Sequence, residues 1–368
     1  MDMEMKEENI EAKDKRRPVY KDGAYEIELA NGETISLSPG ADAAGVDFTG
    51  CDFTMMKLNH ANFEGANFSN CLLESTDFSY CNLKDAIFYE AELMNTIFWG
   101  AKLMNASFKQ IDGVGTRFDN ADISHAEFSG SMARTHFSRA TGISTHFSDL
   151  DLQSCIFNDS NFTGALFEEC PMMFVRLHDC DLTGATFKGC RIEYADFRDA
   201  ILYGVTFDEC DSDDEDCSIN MTNADAQFAR FIRCGFRQLD GQGMNLSGAY
   251  FELSQFFGSR FSEADFTGVT AISTGFNECH FHQAIMKKAD FVLCRFRLIE
   301  AALTNVANVK FSNCFFQGSN LEDAHLEKAT FDNCQFSPDT TWPIDFLLPL
   351  AAPEAEHIPD DIRELDEE

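Results

Sequence analysis

Residues 46–68 read VDFTG CDFTM MKLNH ANFEG ANF, and every fifth position in that stretch, Phe48, Phe53, Leu58, Phe63 and Phe68, is a large apolar residue. Two residues before each stands a smaller one, Val46, Cys51, Met56, Ala61 and Ala66, and the position between them is often Asp or Asn, as at Asp47, Asp52, Asn62 and Asn67. A helical stripe returns every 3.6 residues and a strand alternation every two, so neither brings one side-chain class back every five. A repeating turn does. A unit too short to enclose its own core must then stack on copies of itself, which makes the chain a solenoid with the fifth residues inward.

The lattice extends far beyond this stretch. It holds to Phe128, loses one residue, resumes at Met132 and Phe137, and runs to Phe207. It returns at Met221 and continues through Phe231 and Phe236 to Phe331 and Phe336. Of the 37 Phe, 32 occupy the central position, which assigns the aromatic content to the interior rather than to a binding surface. Gly113, Ala133, Gly142, Ala226, Gly241, Ala271 and Ala301 depart from the pattern and read as local thinning of the core, with bends as the functional alternative. The phase change between Gly130 and Met132 is the stronger bend candidate.

Units such as Ala61-Asn62-Phe63-Glu64-Gly65 and Ala264-Asp265-Phe266-Thr267-Gly268 resemble the pentapeptide-repeat family, and the resemblance covers residues 46–338. It implies an all-β fold, a right-handed quadrilateral parallel β-helix solenoid with four units per coil. At the roughly 4.8 Å spacing of paired strands, about 14 coils make a rod on the order of 65–70 Å long. Residues twenty apart then form columns. Phe48, Phe68, Phe88, Phe108 and Phe128 make one structural core column, and Phe236, Phe256, Phe276, Phe296, Phe316 and Phe336 make another.

The chain divides accordingly. Residues 1–18 are polar and expected to be disordered. Residues 19–45 carry the alternation Tyr25, Ile27, Leu29, the turn signal Asn31-Gly32 and a second alternation at Ile35 and Leu37, which read as a β-hairpin capping the first coil. Residues 46–207 and 219–338 are two parts of the solenoid, and 208–218 is an acidic loop between them. Residues 339–368 hold a C-terminal cap, with Trp342, Pro343, Ile344, Phe346, Leu347, Leu348 and Leu350, followed by an acidic tail with a short helix near 360–366.

The acidic loop is the most distinctive interruption. Asp208, Glu209, Asp211, Asp213, Asp214, Glu215 and Asp216 place seven acids in nine positions, and Phe207 to Met221 spans 14 residues where three units need 15. Such repulsion predicts a protruding segment and a candidate partner contact. The spacing and glycine of a calcium loop are missing, so no metal site is assigned.

Little chemistry remains elsewhere. Thirteen of the 14 Cys occupy the small position, Cys217 being the exception, and they read as free thiols filling the core. That usage fits a reducing, cytoplasmic setting, with export to a host cell left open. No N-terminal apolar run resembles a secretion signal and no 20-residue apolar segment could span a membrane. His136 and His146 fall on opposite faces, while His280 and His282 flank Phe281 without a third ligand. No phosphate-binding loop, dinucleotide fingerprint or metal motif is present, so the chain is read as no enzyme, with no cofactor.

The formal charge is −34, which opposes direct binding of nucleic acid. The family includes inhibitors and protectors of type II topoisomerases that occupy the enzyme's DNA channel, so the resemblance implies that reading as one possibility. Residues 46–338 hold 41 acidic and 21 basic residues, and seven of those acids lie in the interruption. Duplex DNA carries about one charge per 1.7 Å, roughly 40 over the rod's length, so the rod is far less charged than its proposed model. Lys287, Lys288, Arg295, Arg297 and Lys310 form a late basic cluster with no aromatic interleaving in sequence.

The reading is therefore a noncatalytic protein-protein interaction solenoid, monomeric rather than dimeric, whose partner is an unidentified protein. The alternatives are a DNA mimic directed at a bacterial type II topoisomerase and a secreted effector that binds host protein. Placement of the core is directly testable. Phe276→Asp puts an unpaired charge into a Phe column and is expected to cost about 4 kcal/mol or more, seen as a large fall in thermal midpoint. Unchanged thermal unfolding would contradict the register.

Overall fold

The computed structural model describes residues 18–212 and 217–347. Parallel coil-to-coil pairing begins at Asp42 with Asn62 and ends at Asn320 with Thr341. The usual offset is twenty residues, so four units close one coil and the path is the quadrilateral parallel solenoid expected from the repeat. On each wall the backbone bonds both ways. The Phe48 N–H donates to the Asn67 carbonyl at 2.7 Å, and the Asn67 N–H donates to the Val46 carbonyl at 3.0 Å.

Between walls the chain turns within four residues. The Cys51 N–H donates to the Phe48 carbonyl at 3.0 Å, and Gly50 has φ +70°. A positive φ at the third residue only is type II geometry, which glycine or asparagine adopts at least cost. The polar residue before each centre braces the next corner, as where the Thr54 N–H donates to Asp52 Oδ1 at 2.9 Å.

Two walls regularise into sheets. One has twelve strands, from β4 (Ser107–Asp112) to β20 (Thr330–Asp332), and the other has six, from β11 (Gly235–Arg237) to β21 (Gln335–Phe336). Behind the first runs the Phe column. Phe48, Phe68, Phe88, Phe108 and Phe128 stack with centroids 4.5 to 5.2 Å apart and planes within 16°. The column continues through Phe147, Phe167, Phe187, Phe207 and Phe231 to Phe251. In the second column Phe236, Phe256, Phe276, Phe296 and Phe316 are buried, whereas Phe336, on the last coil, is half-buried.

The small position does more than fill space. The Cys71 thiol donates to the Phe48 carbonyl at 3.0 Å, the Thr76 hydroxyl to Phe53 at 2.7 Å and the Ser254 hydroxyl to Phe231 at 3.1 Å. Each satisfies a buried carbonyl of the coil before it, which is why Cys, Ser and Thr exchange there.

Both phase changes are absorbed without breaking the column. Near the first, Phe128 pairs with Phe108, and then the register slips so that Gly130 faces Ile111. Gly130 has φ +114°, and a Cβ on it would lie 2.3 Å from the Ile111 carbonyl oxygen. The lost residue is thus taken up at β5 (Glu127–Ser131), opposite which the strands through Phe108 and Phe147 each bulge by one residue, and Phe128 still stacks on Phe147 at 5.1 Å. The centre moves to buried Met132, so Ala133 is an outward, half-buried residue and not a thinned core position. Gly142 does sit at a centre. A Cβ there would lie 2.2 Å from the Phe162 ring, so the missing side chain gives room to the Phe above it.

The second phase change differs from its sequence reading. Phe207 pairs directly with Phe231, and Asp211 bridges to both Arg191 and Gly235, so the solenoid is continuous across 208–218. Ser212 fills the central position and is buried. The 14-residue span is therefore two units plus four extra residues rather than three units less one. The extra length enters one corner, between Ser212 and Ile219, where a turn can lengthen without moving a wall.

At the N-terminal end the cap has three antiparallel strands rather than two, because β1 (Val19–Lys21) pairs with β2 (Ala24–Glu28), which pairs with β3 (Thr34–Leu37). Ile27 and Leu37 are fully buried over the first coil. At the other end Trp342 meets Phe336 edge-on at 5.0 Å and stacks with Phe346 at 5.5 Å. Ile344 and Leu347 are more than 90% exposed and take no part in the cap. Residues 1–17, Leu348, Leu350 and the acidic tail lie outside the described residues.

Gly130→Ala is expected to lower stability by about 1–3 kcal/mol, because the bulge admits no Cβ. Gly184→Ala is the control: φ is also positive, at +65°, but nothing lies within 4 Å of its Cβ. Chemical denaturation of both variants should show the larger loss at Gly130, and equal losses would refute the bulge.

Candidate protein-binding edge

The acidic candidates separate into two groups. Asp208 ends β9 (Thr206–Asp208), and Glu209 occupies an ordinary corner with φ +54°. Arg233 bonds both, its Nη2 to Asp208 Oδ1 and its Nε to Glu209 Oε1 at 2.8 Å. Asp211 is built into the wall through its two bridges. These three acids do not protrude, because the coil keeps its pairing through them. Asp213, Asp214, Glu215 and Asp216 fall outside the described residues. Cys217, expected in an open loop, is fully buried, its thiol 3.7 Å from the Arg237 carbonyl.

The corner that receives the four extra residues has an aromatic pair directly before it. Phe174 and Tyr194 each lie two residues after a centre, Met172 and Ile192, in the same column that leads to Ser212. Their rings stack at 4.7 Å with planes 9° apart, and Phe174 is 50% exposed. Both have positive φ, 59° and 57°, an uncommon conformation for bulky residues. Ser154 and Gly258 occupy equivalent corners elsewhere in the column, so the fold does not require a ring there.

Beside the pair, Arg191 donates through Nε and Nη2 to Glu193 Oε1 at 3.0 and 2.7 Å. Arg191 is exposed while the Glu193 side chain is completely buried. The edge thus offers a flat aromatic surface and a guanidinium held by a buried carboxylate. Aromatic and Arg side chains in that combination are the usual anchors of protein interfaces.

Two further aromatic clusters lie on other corners. Tyr80 is stacked on His60 at 5.0 Å and meets Trp99 edge-on at 4.9 Å, with Gly100 leaving the room its ring needs. Tyr203 meets Phe228 at 5.5 Å. The expectation that aromatic content serves only the interior is therefore corrected. Phe174 and Tyr194 are twenty residues apart at one register position, a signal present in the sequence but hidden by attention to the central lattice.

Among the described residues, the Cys and His side chains are buried or set apart from one another. All 14 Cys are buried free thiols, and burial pushes Cys81 and Cys279 up to about 12 and Cys180 up to about 11, away from the nucleophilic thiolate. His136 and His146 lie on different walls, pairing with Arg117 and Glu127 respectively. His178 Nδ1 is 2.9 Å from Asp179 Oδ2 on its exposed neighbour. Among the described residues, no group of three His, Cys, Asp or Glu side chains could hold a metal ion, and no helix is long and apolar enough to cross a membrane.

These features define a parallel β-solenoid built from five-residue turns. The family described as "Pentapeptide repeat region" matches residues 41–110 and 131–217, and that described as "Pentapeptide repeats (8 copies)" matches 242–270 and 303–337. The chain belongs to the pentapeptide-repeat family. No curated protein matches it. Among solved structures, full-length QnrB1, a plasmid-mediated fluoroquinolone resistance protein, is 18% identical over 59% of this chain and 92% of its own, with a TM-score of 0.24. HetL, a pentapeptide repeat protein involved in heterocyst differentiation regulation in the cyanobacterium Nostoc, is 15% identical over 80% of this chain and 93% of its own, with a TM-score of 0.18. A pentapeptide repeat protein of the Arabidopsis thaliana thylakoid lumen is 18% identical over 44% and 70%, with a TM-score of 0.13.

Proposed function

We propose that this protein is a noncatalytic binding solenoid that docks a protein partner on the edge formed by Phe174 and Tyr194, with the acids that follow Asp211 in the chain contributing charge. The observation that carries the reading is the stacked, half-exposed aromatic pair at a corner where the fold asks for no ring. The chemistry of the edge fits a partner with an apolar slot bordered by basic residues. Its aromatic centre would supply most of the affinity, and its acids mainly orientation and association rate. The free thiols favour a reducing compartment such as the cytoplasm.

The test uses affinity capture with the full chain as bait, comparing it with a Phe174→Ser/Tyr194→Ser variant and with Asp213→Asn/Asp214→Asn/Asp216→Asn. The aromatic variant is expected to keep the thermal midpoint, since its side chains lie outside the core, and to weaken the captured partner by about tenfold or more. The acid variant should reduce capture less and lower its salt dependence. Equal recovery by all three baits would refute the edge.

The second reading, a DNA mimic directed at a type II topoisomerase, is favoured by the surplus of acids over bases along residues 46–338. A supercoiling assay with purified gyrase decides it. Inhibition or protection by stoichiometric protein would establish the mimic, and neither effect nor enzyme binding would remove it.

A further inference from the structure

A basic cleft lies on the six-stranded wall of this acidic protein. The late basic residues do not form one patch, because Asp290 pairs with Lys310 on the twelve-stranded wall, whereas β17 (Arg295–Arg297) belongs to the six-stranded one. There Arg295 and Arg297 are joined by Arg237, Phe257 and Phe315 around a cleft of about 270 Å³. Arg237 lies over the Phe257 ring, 5.4 Å from its centroid. Arg297 Nη1 is 3.8 Å from Glu278 Oε1. The aromatic interleaving missing along the sequence is therefore supplied by neighbouring coils.

We propose that this cleft binds the chain's own acidic C-terminal segment, residues 354–368. Charge is the first argument. The 21 residues after Leu347 hold eight acids and one Arg, with Ile358, Ile362 and Leu365 set among them. Carboxylates pair with guanidinium groups in a charge-assisted, often bidentate way, while the aliphatic side chains suit the Phe257 and Phe315 faces.

Reach is the second argument. The cap residues Trp342 and Phe346 pack on the last Phe residues of the solenoid, so the chain leaves from that end. Ser337, Gln317 and Arg297 are successive coil positions, which puts Arg297 about 10 Å and Arg237 about 24 Å from the Ser337 coil at roughly 4.8 Å per coil. The six residues 348–353 span up to about 20 Å when extended. Acids from Glu354 onward can therefore pass over Arg297 and Arg295 and continue towards Arg237.

Tethering is the third. A short tether holds its segment at an effective concentration on the order of millimolar, so a dissociation constant of about 1 mM, reached by ion pairs and aliphatic contacts together, gives about half occupancy. A free polyanion such as nucleic acid has no tether and meets the repulsion of a chain with net charge −34. This proposal does not rest on the Phe174–Tyr194 pair, which flanks the same wall nearer the N-terminal end, Tyr194 lying two coils before the coil of Arg237.

The test places the photo-crosslinking residue p-benzoylphenylalanine at Gln317 of the full chain and maps the cross-linked peptides. The expected product is an intrachain link to residues 354–368, reduced at least about fivefold by Arg295→Ser/Arg297→Ser and by about 0.5 M salt. Neutralising Asp360, Asp361, Glu364 and Asp366 to their amides, outside the solenoid, should reduce the link equally and guards against a folding defect in the Arg variant. Three results would overturn the proposal: no link to 354–368, a link found only between two chains, or a link insensitive to both charge changes. Arg-dependent binding of a labelled single-stranded oligonucleotide, without the tail link, would instead assign the cleft to phosphate.

Discussion

Each coil must return its inward side chain directly above that of the coil before it, because the same few residues both bond to the neighbouring backbone and stack in the core. Phe48 illustrates the double demand. Its N–H donates to the Asn67 carbonyl while its ring stacks on Phe68 at 5.2 Å. A slip of one residue would turn every Phe outward and break the ladder at once, so the chain tolerates changes of length only where register can be recovered locally. A bulge at Gly130 and a lengthened corner after Ser212 are the two ways this protein recovers it.

The same constraint fills the interior with packed side chains and leaves variation to the corners. Centres hold close-packed rings, and the small positions hold thiols and hydroxyls already donating to carbonyls of the adjacent coil. Corner residues, by contrast, project past the walls, and their identity matters little to pairing. That freedom allows Ser154 at one corner and Phe174 at another of the same column. It also allows different surfaces on one rod, an edge of stacked rings and, on the six-stranded wall, a cleft of three Arg with two Phe.

Legibility followed the strength of that constraint. The five-residue period was decisive because each unit repeats the same packing problem, so the Phe column and the burial of Cys at the small position could be read from one chain. The interruption at 208–218 was only half legible. Its acids marked it, but 14 residues can be three short units or two units and an insertion. Pairing between Phe207 and Phe231 was needed to choose. Ala133 was misplaced for a related reason, since a count of five from Phe128 cannot know where the bulge takes up the deficit.

The sequence by itself determined the solenoid, the inward column and the structural role of the cysteines, because these depend on contacts that recur at fixed spacing along the chain. Only the tertiary structure decided which outward residues share a surface. Arg237, Phe257, Arg295 and Phe315 come from different coils and lie up to 78 positions apart in the chain, yet line one cleft. Lys310 follows Arg297 closely in sequence but belongs to another wall. Surface neighbourhoods on a solenoid are set by coil stacking and wall, and a linear reading of charge mixes residues that the fold separates.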